Sequence, residues 1–252
     1  MASDDPLATF IAQLKSPDSS ARADAAIFLG KLGDESLVEP LLDVLDDESD
    51  YVRDCVVTAL GELGSVRALP ALLDLLGHKN PHLRTGAAQA IDTIYKHAPE
   101  ASLAALKDAQ PVPRLIDATR DPSPLVVDVA VFLLGELQAE EAVNTLCGLL
   151  QHEAPMVRAD AAAALGQLKA TQAVPGLIKL LDDEHEQIRQ CALEALAEIG
   201  DPSCLPRIKQ VADSDQSPAI RHAARTVLKQ LKSGRGGSGL FGKLRGAFQQ
   251  KK

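Results

Sequence analysis

Three kinds of side chain recur here at spacings that could do chemistry. Arginines at 22, 53, 84, 158, 189 and 221 stand in one register, and Asp47, Asp121, Asp183 and Asp215 each lie six residues ahead of a register point. A row of guanidiniums could form an anion-binding ladder. The accompanying aspartates favour a structural role, in which Asp caps the following helix, Arg is its ionic partner four to seven residues on, and the row joins neighbouring units. His152-Glu153 and His185-Glu186 pair an imidazole with a carboxylate, as metal sites do. Both fall in turns, six and four residues before the next register point, whereas a metal centre needs ligands converging from facing helices. His78 shares the register of His152 and reads as a solvated turn position. Cys55, Cys147, Cys191 and Cys204 form no CxxC and no paired spacing with His, so they read as buried small hydrophobes. No Ser/His/Asp set, phosphate-binding glycine loop or catalytic carboxylate pair stands out. The expectation is a non-enzyme with no cofactor and no metal.

What positions these residues is a repeat. Ser20-Ala21-Arg22-Ala23-Asp24-Ala25-Ala26 returns as Tyr51-Val52-Arg53-Asp54-Cys55-Val56-Val57 and His82-Leu83-Arg84-Thr85-Gly86-Ala87-Ala88, then around Val127, Arg158, Arg189 and Arg221. The steps are 31, 31, 43, 31, 31 and 32 residues, a period that signals a stacked array burying its apolar faces between neighbours. Apolar residues make up 46% of the 252, aromatics only 3%, with no Trp, so the core must be aliphatic. That suits helix-on-helix packing and is poor material for a ligand cavity.

Each unit reads as two helices, near Leu37–Leu45 and Tyr51–Leu63 in the second repeat. Apolar residues three, four, seven and ten after each anchor (Val56, Val57, Leu60, Leu63; Ala161, Ala162, Leu165, Leu168; Ala192, Leu193, Leu196, Ile199) make one helical stripe. Gly33, Gly64 and Gly200 stand where a left-handed cap belongs, and Pro40, Pro70, Pro113, Pro175 and Pro206 fall in the opening turn of the first helix. Two irregularities break the pattern. Twelve extra residues enter in the stretch 96–110, where Glu100–Asp108 could add a short helix. The fourth repeat has Val127 in place of Arg, inside a run apolar nearly all round.

These residues carry a family resemblance. The pattern Leu45, Asp47, Val52-Arg53, Ala59-Leu60-Gly61, met again at Leu181, Asp183, Ile188-Arg189 and Ala195-Leu196, resembles the short HEAT-like repeats named after phycobilisome lyases. It covers roughly 5–232 and implies an all-α, right-handed α-solenoid of about seven helical hairpins. It implies little about function, since such arrays serve as scaffolds in many pathways. The His-Glu pairs resemble those of di-iron HEAT-like hydroxylases in type, but not in register. Taken literally, the resemblance implies an alternative role as a bilin lyase subunit or chaperone-like factor for a tetrapyrrole-carrying antenna protein.

Partner surfaces are read from charge and from apolar residues where an array should be wet. Of a net −9, Arg235, Lys243, Arg245, Lys251 and Lys252 give the last twenty residues +5, leaving −14 on the rest, which repels nucleic acid. Positions five and nine after each anchor should face a concave groove. The expected protein-binding set is Ile27, Glu62, Phe132, Glu136, Glu194 and Glu198, an acidic rim with apolar points. Phe132 could equally pack on the 96–110 insertion. After residues 233–239, a Gly/Ser linker, the tail 240–252 sets Leu240, Phe241, Leu244 and Phe248 on one face with Lys243 and Arg245 off it. It reads as a weak membrane-surface anchor, as a peptide docking on a partner or on the array itself, or as an end without a role. Arg225 and Lys229 in the last unit suggest a closed end. With no leader-like start and no membrane-length apolar stretch, the expected location is cytoplasmic, peripheral to a membrane if the tail binds lipid. The expected role is a protein-protein interaction scaffold or adaptor.

Overall fold

The structure is a computed structural model describing residues 6–233. Among these residues there are fifteen α-helices and no strand. Seven hairpins account for fourteen of them. In order they are α1 (Pro6–Gln13) with α2 (Ser19–Gly30), α3 (Val38–Leu42) with α4 (Asp50–Leu63), and α5 (Leu69–Leu75) with α6 (Pro81–His97). A single helix, α7 (Pro99–Ala109), intervenes. Then come α8 (Val112–Ala118) with α9 (Pro124–Glu136), α10 (Val143–Leu149) with α11 (Pro155–Gln167), α12 (Val174–Leu180) with α13 (Glu186–Ile199), and α14 (Leu205–Ser214) with α15 (Pro218–Lys232).

The apolar stripe makes the core. Val56, Val57 and Leu60 of α4, Ala161, Ala162 and Leu165 of α11, and Ala192, Leu193 and Leu196 of α13 are at most 1% exposed. Burying each leucine contributes about 1.5–3 kcal/mol. The fourth stripe position, Leu63, Leu168 or Ile199, is half-buried at the helix end. In α9 nearly every residue from Val126 to Leu134 is buried, as an all-round apolar helix requires.

The chain divides into two compact units, Met1–Val129 and Ala130–Lys252, the division falling inside α9. In the first, the second helices α2, α4 and α6 pack in succession, and α7 lies on α5 and α6. The inserted helix is seated by Leu106 and Ser102, both fully buried, with the Ser102 hydroxyl donating to the Ile94 carbonyl. In the second unit α11, α13 and α15 pack in the same way.

Small residues let the second helices approach closely. A Cβ built on Gly30 would lie 2.6 Å from Ala59 Cα, and one on Gly61 would lie 3.0 Å from Ala90 Cα. Gly135 stands in the same relation to Ala164, at 3.2 Å. The left-handed position eleven residues after the anchor is real in five repeats. Gly33, Gly64 and Gly200 occupy it as expected, but so do Gln138 (φ 54°) and Lys169 (φ 49°), which nothing in their residue types announced.

Candidate functional site

The arginine row is a structural ladder, and its pairing differs from the sequence expectation. Each rung reaches the Asp of the next repeat rather than the one just ahead in its own. Arg22 Nε and Nη2 donate to Asp47 Oδ2 and Oδ1 at 2.7 and 2.8 Å. Arg158 meets Asp183 at 2.9 and 3.2 Å, Arg189 meets Asp215 at 2.9 and 3.1 Å, and Arg84 Nε pairs with Asp121. Toward its own repeat each Arg offers only Nη1, which donates to turn carbonyls, as Arg189 does to Asp183 O and Glu184 O. One fork therefore ties a repeat's own turn and the neighbour's carboxylate together, a bidentate geometry that Lys could not copy.

The aspartates do not cap the following helices either. Asp47, Asp121, Asp183 and Asp215 accept from the backbone N–H two residues on, at 2.8–2.9 Å, closing the turn just before the helix. Hydrogen bonding from Arg22 holds the Asp47 carboxyl below the usual carboxylate range. For Asp183 and Asp215 burial pulls upward, but the Arg158 and Arg189 forks and the turn N–H groups outweigh it, and both carboxyls lie low. At His78 and His152 a ring nitrogen takes over the turn: Nδ1 accepts from the N–H of Asn80 and of Ala154, each at 3.1 Å. His185 Nδ1 lies 3.1 Å from Asp183 Oδ1, within its own turn. Among the described residues, no group of three or more His, Cys, Asp or Glu side chains is placed to hold a metal ion.

The groove positions are taken unit by unit. In the first, Ile27 of α2 is half-buried and Glu62 of α4 is exposed. Beside Ile27, the Phe28 ring stacks on Phe10 of α1 with centroids 3.9 Å apart, and Leu32 is 47% exposed. In the second unit, Phe132 and Glu136 of α9 and Glu198 of α13 are half-buried. Glu136 Oε1 accepts from Gln167 Nε2 at 3.2 Å.

Glu194, expected on a wet face, is only 7% exposed. Its Oε1 accepts one bond from Gln190 Nε2 at 2.9 Å. Burial pushes its carboxyl up, and the neighbouring Glu198 charge pushes it further. The same field reaches Cys191, whose thiol burial, Glu194 and Asp160 push up to about 12. That thiol is inert at neutral pH. Cys55 and Cys204 are buried and Cys147 is half-buried, and burial raises all three thiols. The second helices of this unit thus carry Glu136 on α9, Asp160 on α11, and Glu194 and Glu198 on α13. The tail residues Leu240, Phe241, Lys243, Leu244, Arg245 and Phe248 lie outside the described residues.

HEAT repeats match this sequence over residues 6–92, 38–113, 112–190 and 174–236. The chain belongs to the HEAT-repeat family. Solved structures share the fold. An engineered protein aligns with TM-score 0.70 at 20% identity, covering 92% of this chain and 69% of its own. A designed armadillo repeat protein in complex with the peptide (KR)4 aligns at 0.52 and 21%, covering 89% and 99%. The CpcE–CpcF complex of phycocyanin lyase from Nostoc is 27% identical over 93% of this chain and 90% of its own, with TM-score 0.46. No curated protein matches the sequence significantly. Among the described residues, no helix of this HEAT-repeat chain is long and apolar enough to cross a membrane.

Proposed function

We propose that this HEAT-repeat protein is a non-catalytic scaffold or adaptor that holds protein partners on the second-helix faces of its repeats. The basic tail, 240–252, acts as a second tether to the partner or to a membrane surface and so raises effective concentration there. The observation that carries this reading is Glu194. A nearly buried carboxylate beside Glu198, with one neutral hydrogen-bond donor, lowers stability at neutral pH, and stability given up at one place on a repeat face marks a functional position. A lysine or arginine of a partner brought against Glu198 would relieve it, so the favoured occupant is a basic segment, with Glu136 on the same face and Phe132 as apolar anchor. Ile27 and Glu62 serve the same purpose in the first unit. The armadillo protein's basic peptide is consistent with such an occupant, but that likeness is one of fold, and the carboxylates carry the proposal.

The test is a quantitative pull-down comparing the full chain, a truncation ending at Lys232, and Phe132→Asp, all checked first for equal helical content. Retention of one protein by the first two and its loss with Phe132→Asp is the expected pattern. Capture only through the tail would overturn the groove residues. The lyase-subunit alternative predicts tight visible absorbance on mixing with a bilin; a colourless protein removes it.

A further inference from the structure

One step of the ladder is missing inside the first unit. Arg53 should reach, twenty-five residues on, the turn position that Asp47 fills for Arg22. That position is His78, whose Nδ1 is already occupied as acceptor for the Asn80 N–H. With Nδ1 so engaged, the ring offers Arg53 no carboxylate. Arg53 folds back on its own repeat instead: Nη1 donates to the Asp47 carbonyl and Nη2 pairs with Asp50, three residues earlier on the same helix. Its Nε is buried without a hydrogen-bond partner.

The other end of the same junction is well tied. Ser65 Oγ donates to Glu35 at 2.7 Å, Arg67 pairs with Glu39, and Gly61 sits against Ala90. The flanking steps are pinned at the turn end by Arg22–Asp47 and by Arg84–Asp121, the latter joined by Thr85 Oγ1 to Ser123 Oγ at 3.3 Å. The junction between the second and third repeats is thus held along one edge and lacks its rung along the other.

We infer that this junction is a hinge, built by exchanging Asp for His at 78, about which the first unit opens at the turn edge while Ser65–Glu35 and Gly61–Ala90 remain closed. Opening and closing there changes the spacing between the turn-side ends of α4 and α6, which otherwise pack along their length. Because every atom in question belongs to the array, the inference does not depend on the docking role proposed above.

Native-state hydrogen exchange on the full chain tests it. Amides of the turn at 77–80 should show protection factors at least about tenfold lower than those of the matching turn at 46–49, as local opening from a less protected state requires. His78→Asp places a carboxylate opposite Arg53 and should raise the protection of 77–80 to that of 46–49. His78→Asn keeps a turn acceptor without the charge and should not. Adding Arg53→Ala to His78→Asp should abolish the gain. Equal protection of the two turns in the unaltered chain, a comparison that needs no variant, overturns the hinge. So does a gain with His78→Asn equal to that with His78→Asp.

Discussion

Arg189 and Asp215 join α13 to the turn that precedes α15 through two bonds of 2.9 and 3.1 Å, with both side chains at most 6% exposed. Four such rungs, with the same guanidinium also tying its own turn, turn a recurring Arg/Asp motif into the polar seam of the array. The motif is therefore evidence of stacking rather than of an anion site.

Removing one partner strands the other. Arg189→Ala should destabilise the second unit by about 2–3 kcal/mol, within the range for losing charged hydrogen bonds in a mostly buried pair. Arg189→Lys should recover less than half, because an ammonium cannot span both carboxylate oxygens and the turn carbonyls. Urea unfolding midpoints of the three proteins measure this.

Acid should loosen the seam before the core. Asp47, Asp183 and Asp215 titrate lower folded than unfolded, so the stability they add is complete above the ordinary Asp value of about 3.9. It disappears as pH falls through their lower folded values. Glu194 has the opposite sign: its raised carboxyl adds stability that is full below the unfolded Glu value and lost as pH rises through the folded one. Melting temperatures followed by circular dichroism should fall below pH 4. Asp215→Asn should flatten that acid limb, and Glu194→Gln should raise the midpoint at pH 7.

Much of the fold was legible in the sequence because a 31-residue period and a 3.6-residue stripe constrain it independently. Anchor, stripe and left-handed glycines all fell where spacing put them. The ladder's true partners were not legible, since the stagger between adjacent hairpins comes from packing, which sequence distance does not encode: Arg53 is nearer Asp47 in the chain, yet the Asp47 carboxylate takes the Arg22 fork and Arg53 reaches only the Asp47 backbone carbonyl. Glu194 misled for a related reason. Its register points to a wet face, but packing of α13 between α11 and α15 leaves it dry. Gln138 and Lys169 hid a turn geometry that sequence reading assigns only to glycine.

Those two positions and Gly30 give opposite predictions. Gln138→Gly and Lys169→Gly relieve a left-handed backbone and should each add about 0.5–1 kcal/mol. Gly30→Ala places a methyl 2.6 Å from the Ala59 backbone and should cost about 1–3 kcal/mol. Thermal unfolding of the single variants decides both.

The central claim is that the acidic second-helix face holds a basic protein segment, and the direct test is an anisotropy titration with a fluorescent Lys/Arg-rich peptide and its Asp/Glu-rich counterpart. The full chain should bind the basic peptide alone, with affinity falling as salt rises. The Glu194→Gln/Glu198→Gln variant should bind about tenfold more weakly while melting no lower than the parent. Equal binding by parent and variant, or no preference for the basic peptide, would contradict the account.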